Sequence, residues 1–352
     1  MDWDRKMHNE RGVEMKVVGG TEMKLEKYQT PYKYGDALLC GSGTPGAFDE
    51  KGVDIPFVFR HRGQYYMLYT GFDGVGYQSA LAISDDLVHW KYDAMVLARG
   101  QSRNAWDNYS AAATWIIKES DCLEDVPVLK KIDGKYWMAY HAYPGTGYEE
   151  GAAAIGLAWC EDEDLRNWHR LDEPILTCEG GGTWEQGGLY KACIIRKDEL
   201  WYLFYNAKDQ SPRWIEQTGA AISGDLLHWE RVSQNPLFSV TKGNWDGRFV
   251  SDPCIVSDKK MWLNFYFGYE NGHAQEGLAY SEDLLHWTKE EKPLIPHGEK
   301  GEIDENHAHK ASIFWENGIL YHFYCATRPN RKGDSTSLYG ECSRFMPPQR
   351  EA

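Results

Sequence analysis

The stretch "SDDLVHW" at residues 84–90 returns three times in near copy, as "DEDLRNW" (162–168), "SGDLLHW" (223–229) and "SEDLLHW" (281–287). A motif repeated at such intervals marks an architecture that uses one supersecondary unit several times. Upstream of each copy lies a strand of small residues: "SALAIS", "AIGLAWC", "GAAIS" and "EGLAYS". Further upstream runs a hairpin of alternating aromatic and apolar residues. Five hairpins are legible: "DIPFVFRHRGQYYMLYTG", "DVPVLKKIDGKYWMAYHA", "YKACIIRKDELWYLFYNA", "SDPCIVSDKKMWLNFYFG" and "HKASIFWENGILYHFYCA". Their turns carry the Gly, Asn or Asp that tight reversals need. Within the heptapeptide, Ser and Asp suit a turn bonded to its own backbone. The Leu then packs inward and the Trp opens an outer strand. His89, His228 and His286 read as turn residues, not ligands.

Few architectures repeat a four-stranded antiparallel unit, and the β-propeller leads them; a β-sandwich would not repeat its motifs in register. The expected fold is all-β, a five-bladed β-propeller of four-stranded antiparallel blades, forming one domain over residues 1–352. After the fifth hairpin, "STSLYGECSRF" (335–345) is expected as a degenerate third strand. Residues 1–35 are expected to pack on the ring or close it, with "YGDALLCGSG" (34–43) supplying the outer strand.

The 352 residues carry a formal net charge of −15, with 15 Trp and 22 Tyr. That acidic balance argues against a nucleic-acid partner, which is held by Lys and Arg. The N-terminus is charged, without the apolar core of a signal peptide, and no apolar run reaches the ~18 residues of a membrane span. The eight cysteines are scattered without a CxxC pair. Reduced thiols, a cytoplasmic location and no zinc or redox chemistry are therefore expected. Cys193 and Cys254 fall in apolar strand patterns and are expected in the core.

In a propeller the innermost strand of each blade lines the central channel, where a concave ligand site belongs. The five inner strands align on Pro56, Pro127, Ala192, Pro253 and Ala311. Two residues earlier stand Asp54, Asp125, Tyr190, Ser251 and His309; one earlier stand Ile55, Val126, Lys191, Asp252 and Lys310. The pairs Phe48-Asp49, Trp106-Asp107, Trp184-Glu185 and Trp245-Asp246 recur, so repeat structure explains them. Asp54 and Asp125 do not recur, and period-two geometry turns them toward the axis. Convergent carboxylates are what glycosidic bond cleavage requires: one activates water, the other protonates the leaving oxygen. "DENHAHKAS" places His307 and His309 on one strand face beside Lys310, either as a polar plug or as site residues. Trp115, Trp184, Tyr190 and Trp214 are candidate platforms for a sugar ring.

These hairpins, above all "VDIPFVFRHRGQYYMLYTG" and "EDVPVLKKIDGKYWMAY", and the four heptapeptides resemble the five-bladed β-propeller glycosidases of glycoside hydrolase families 32, 43, 68, 117 and 130, and family 43 most. The resemblance implies a general base on blade one, a pKa-modulating Asp on blade two and a general acid Glu on blade three. Asp54 and Asp125 match the first two by position. The third blade departs from the family's Glu-Gly-Pro with "WEQGGLYKA", which leaves Glu185 and Asp252 as rival acids. The implied activity is an inverting hydrolase of terminal residues or short oligosaccharides, with no cofactor and no catalytic metal; a structural ion in the central channel is compatible with it. Lys191, Lys310 and Arg248 admit the alternative of phosphorolysis, and a non-catalytic carbohydrate-binding propeller is the third reading.

Overall fold

The computed structural model describes residues 15–18, 21–29, 32–100, 102, 105–329 and 342–344. From residue 52 onward the chain forms five consecutive antiparallel meanders, each starting with an inner strand. The first comprises Gly52–His61, Gln64–Phe72, Tyr77–Ser84 and Lys91–Leu97 in one four-stranded sheet. The second comprises Ala112–Ile116, Lys135–Ala142, Ala154–Cys160 and His169–Arg170. Gly188–Lys197, Leu200–Lys208, Glu216–Ser223 and Glu230–Arg231 make the third; Phe249–Ser257, Trp262–Glu270, His273–Ser281 and Thr288–Lys289 make the fourth. The fifth pairs His307–Glu316, Ile319–Thr327 and Cys342–Arg344, so the expected third strand survives as three residues. The hairpin tips Arg62-Gly63, Asp133-Gly134 and Asn317-Gly318 all have positive φ at both positions, as a type I′ turn demands.

The heptapeptide closes its meander by local bonding. In the first copy, Ser84 Oγ accepts from the Leu87 amide at 3.0 Å and Asp86 Oδ1 accepts from Val88 and His89 at 2.9 and 2.8 Å. The leucine of all four copies sits in the left-handed region yet is buried at 2% exposure or less. Burial of that side chain offsets a backbone cost of about 1 kcal/mol. Trp90 Nε1 returns a bond to Leu87 O at 3.0 Å, and His89 lies exposed against Asp86.

A second repeated device fixes the acid of three aromatic–acid pairs, and Asp304 at the same register of the fifth meander. Asp107 pairs with Arg170 at 3.1 Å, Glu185 with Arg231 at 3.0 Å, Asp246 with Lys289 at 2.5 Å and Asp304 with Lys33 at 2.8 Å. A second-strand tyrosine donates to three of these acids: Tyr140 to Asp107, Tyr205 to Glu185 and Tyr324 to Asp304. The aromatic partner lies on a third-strand glycine. A Cβ on Gly156, Gly219 or Gly277 would come within 2.5 Å of the Trp106, Trp184 or Trp245 ring.

The first and fifth meanders meet side by side. Val58 N donates to Ser312 Oγ at 3.0 Å, and Arg60 pairs with Glu316 at 2.5 Å. Cys193 and Cys254 are buried as expected. Of the N-terminal stretch, Tyr28 is buried and bonded to Asp258, and Lys27 pairs with Glu124 at 2.8 Å. Residues 34–43 are irregular chain, not the outer strand expected of them; their one buried apolar side chain is Leu38. The rest of the expectation for 1–35 falls partly on residues 1–14, which lie outside the described residues. Among the described residues no helix is long and apolar enough to cross a membrane.

Candidate active site

At the end where the inner strands begin lies a cavity of about 280 Å³. One equivalent position of each inner strand, at the level of the cavity, is marked by its pairing with the second strand. Asp54 lies opposite Thr70, Ala112 opposite His141, Tyr190 opposite Asn206, Ser251 opposite Phe267 and His309 opposite Cys325. Immediately after that position four of the strands slip register, and the residue at the slip has positive φ: Ile55 (53°), Lys191 (48°), Asp252 (55°) and Lys310 (66°). A bulge re-aims the side chain it carries. Two consecutive residues of one strand, such as His309 and Lys310, therefore both line the cavity, which strict alternation would forbid.

Asp54 is the most constrained carboxylate. Its Oδ1 accepts from the Ile55 amide at 2.9 Å and the Cys325 thiol at 3.0 Å, and Oδ2 meets Lys310 Nζ. Burial pushes its pKa up, but the Lys310 charge and these bonds outweigh it and hold the group below the usual carboxylate range. Asp252 is held by a reciprocal pair with Asn206, whose Oδ1 accepts from the Asp252 amide at 2.6 Å and whose amide donates to Asp252 Oδ1. Burial raises its pKa, against the pull of Lys191 and Lys310.

Two further carboxyls enter from outside the inner strands. Glu149 rides on the loop 143–151, "YPGTGYEEG", between the second and third strands of the second meander, and burial pushes its pKa up to about 7, with nearby Glu216 and Asp54 adding to the rise. Glu216 opens the third strand of the third meander; Ser251 Oγ donates to it at 2.6 Å and Trp214 Nε1 at 2.7 Å, while burial raises its pKa. Neither glutamate was found from sequence, because no repeat register marks a loop insertion or a third-strand start.

Three histidines are neutral. Burial, reinforced by Lys310, lowers His141 and His309 to about 3, and burial with His273 lowers His307 to about 4. Their hydrogen bonds assign the tautomers. Nδ1 of His309 faces Cys325 O at 3.0 Å and carries the proton. Nδ1 of His141 accepts from the Lys191 amide at 3.2 Å, and that of His307 from the Ala274 amide at 3.1 Å, leaving both with an Nε2–H donor. Tyr190 and Trp214 also line the cavity, as does Arg248, whose guanidinium lies over Phe249 and Tyr269 while Nε donates to Trp214 O at 3.2 Å.

Of the residues singled out from sequence, Asp54, Asp252, Tyr190, Lys191, Trp214, Arg248, His307, His309 and Lys310 meet in this cavity. Four do not. Asp125 sits on an exposed turn, accepting from Ser120 Oγ at 2.6 Å. "DVPVLKK" is an insertion that returns beside the first inner strand, as the Arg60 N to Pro127 O bond of 2.7 Å records. The inner strand of the second meander is Ala112–Ile116, and it brings Ala112 where Asp125 was expected. The sequence held the signal: Ala112 follows Asp107 by the same interval as Asp54 follows Asp49, Tyr190 Glu185, Ser251 Asp246 and His309 Asp304. Glu185 is buried in its ion pair with Arg231, and Trp184 is stacked on Tyr205 against Gly219. Trp115 is a core residue beside Phe57.

A cavity walled by aromatic faces and crossed by paired and unpaired carboxyls suits a sugar ring. Comparison with known proteins agrees. A solved structure described as a glycoside hydrolase superposes with a TM-score of 0.78 at 27% identity, covering 94% of this chain and 96% of the other. A second, described as a complex of BT0996 and RGII, has the same TM-score of 0.78 and identity of 27%, over 93% of this chain and 96% of the other. The 1,2-beta-oligomannan phosphorylase of Thermoanaerobacter sp. (strain X514) is 29% identical over 126 residues, which is 34% of this chain and only 42% of that relative. The model of glycosyl hydrolases family 43 matches residues 51–336. On that match, which takes in the cavity and all five inner strands, this chain belongs to glycosyl hydrolases family 43.

Proposed function

We propose that the protein is a glycoside hydrolase that removes terminal sugars or cleaves short oligosaccharides, on a single five-bladed ring closed between the first and fifth meanders. One observation carries this reading. The cavity holds a carboxyl kept protonated to about pH 7, Glu149, together with a carboxylate kept ionised, Asp54. Environments that push two carboxyl pKa values apart assign acid and base. Glu149 protonates the leaving glycosidic oxygen. Asp54 accepts three hydrogen bonds but has about four lone-pair sites, so one remains to take a proton from attacking water. Asp252 and Glu216 lend negative charge and hydrogen bonds to an oxocarbenium-like transition state, and Trp214 and Tyr190 give the ring an apolar face.

Phosphorolysis is the second reading, favoured by Lys191, Arg248 and Lys310 in the cavity and by the phosphorylase relative. Against it, Lys310 is engaged by Asp54, Lys191 stands beside Asp252, and Arg248 Nε is bonded to Trp214 O. Turnover of a panel of aryl glycosides with and without inorganic phosphate separates the readings. Hydrolysis predicts release of free sugar without phosphate. Strict phosphate dependence with release of a sugar 1-phosphate overturns it, as does binding of sugars without any turnover.

A further inference from the structure

Glu276 lies on the third strand of the fourth meander, wholly buried, and neither of its carboxyl oxygens has a hydrogen-bond partner among the described residues. Its register explains what such a group does there. Ser79, Thr218 and Glu276 stand opposite Thr70, Asn206 and Phe267, the second-strand residues that face the cavity-level position of each inner strand. Ser79 Oγ donates to Ala111 O at 2.9 Å, just before the inner strand of the next meander, and Thr218 Oγ1 donates to Val250 O at 2.9 Å, on the inner strand of the next. The parallel pairs Glu216↔Phe249 and Ala274↔His307 set the same frame for the last two junctions, so the carbonyl facing Glu276 by register is that of Ala308. This niche takes a donor. A carboxylate has none, and a carboxylic acid has one.

Charge points the same way. The groups that bear on Glu276 are Asp252 and Cys254 from the inner strand of its own meander, Tyr266 from the second strand, and Lys191 from the third meander. Lys310 of the fifth meander and Asp54 of the first bear on Asp252 and offset each other through their own ion pair. Two carboxylates and one ammonium would leave an uncompensated negative charge in a dry interior, where like charges repel strongly. One proton on the pair brings the balance to zero. Asp252 has the better claim to the charge, since Asn206 donates to its Oδ1 and it faces the cavity.

We propose that the buried Glu276 carries a proton at neutral pH, so that Asp252, which lines the cavity beside Lys191, is the one of the two that is an anion. The catalytic significance of that anion rests on the glycosidase reading; the proton itself does not. The test uses infrared spectra of the full-length protein at neutral pH, without substrate. Wild type should show a protonated-carboxyl C=O band that Glu276→Gln lacks and that shifts when glutamate is labelled with ¹³C at Cδ. Asp252→Asn should lose the band as well, because Lys191 then needs the remaining carboxylate. Absence of the band from wild type, its survival in Glu276→Gln, insensitivity to labelled glutamate or persistence in Asp252→Asn each overturns the proposal. Thermal melting adds an independent readout. A folded state that binds one more proton than the unfolded chain loses stability as pH rises above about 4.3. The melting point of Glu276→Gln should therefore climb relative to wild type from about pH 5 to about pH 9, and a pH-independent difference refutes the idea. If Glu276→Gln does not fold, Glu276→Thr, which copies the Thr218 register, takes its place in both measurements.

Discussion

In the proposed hydrolysis Glu149 governs the alkaline side of the reaction. As an acid with a pKa of about 7, it can donate only below that value, so kcat/KM should fall as pH rises through neutrality. Glu149→Gln should abolish that limb and reduce kcat by about 10²–10⁴-fold, with the smallest loss on substrates whose leaving group needs no proton. A variant that keeps the wild-type limb would place the acid elsewhere. The Asp54–Lys310 pair acts on stability. Asp54 titrates below its ordinary range and Lys310 well above its own. The carboxylate's share of the stabilisation is present above about pH 4, its unfolded value, and is lost as pH falls through the lower folded value. The lysine's share is present below about pH 10.4 and is lost as pH rises through its higher folded value. Lys310→Met strands a buried carboxylate and should cost about 3–5 kcal/mol in urea unfolding at neutral pH.

At the level of strands and turns, the two repeated devices separate structure from chemistry. The heptapeptide was readable because its bonds are local: Ser, Asp and Trp act within seven residues, and any copy reveals the others. The inner strands were readable for the same reason in four meanders of five. The second failed because "DVPVLKKIDGKYW" imitates "DIPFVFRHRGQYY" in pattern while pairing differently, and pattern alone cannot tell a strand from an insertion that returns alongside one. Glu149, His141 and Glu216 were missed because a loop, a second strand and a third strand carry them to the cavity, and long-range convergence leaves no local mark. Two substitutions separate the roles. Asp125→Asn should leave kcat/KM and melting temperature as they are. Glu185→Gln should lower the melting temperature, since it breaks the buried pair with Arg231, while kcat/KM stays within a few-fold of wild type. A collapse of kcat in folded Glu185→Gln would restore it as a catalytic candidate.

Across the whole molecule, the junction of first and fifth meanders is held by side chains. Val58–Ser312, Arg60–Glu316 and Asp54–Lys310 run along it, and the last of these lies inside the cavity. A sugar bound there bridges the two ends of the folded chain. Saturating ligand should therefore raise the melting temperature, by a free energy of about 2.7 kcal/mol at a concentration of 100 Kd. Glu316→Ala, which strips both Arg60 and Tyr65 of their partner, should lower it without ligand. If Glu316→Ala melts like wild type, these side chains are not what holds the two meanders together.

The left-handed bulge is shared by strands that carry Ile, Lys, Asp and Lys at the same point. Its shape is thus indifferent to what it displays, and only the displayed group reaches the ligand. Ile55 is the one such position occupied by a hydrocarbon. It is an unwritten letter in the cavity's vocabulary: a lineage, or an engineer, could write a charge or an amide there and change which sugar is recognised while every strand stays in place.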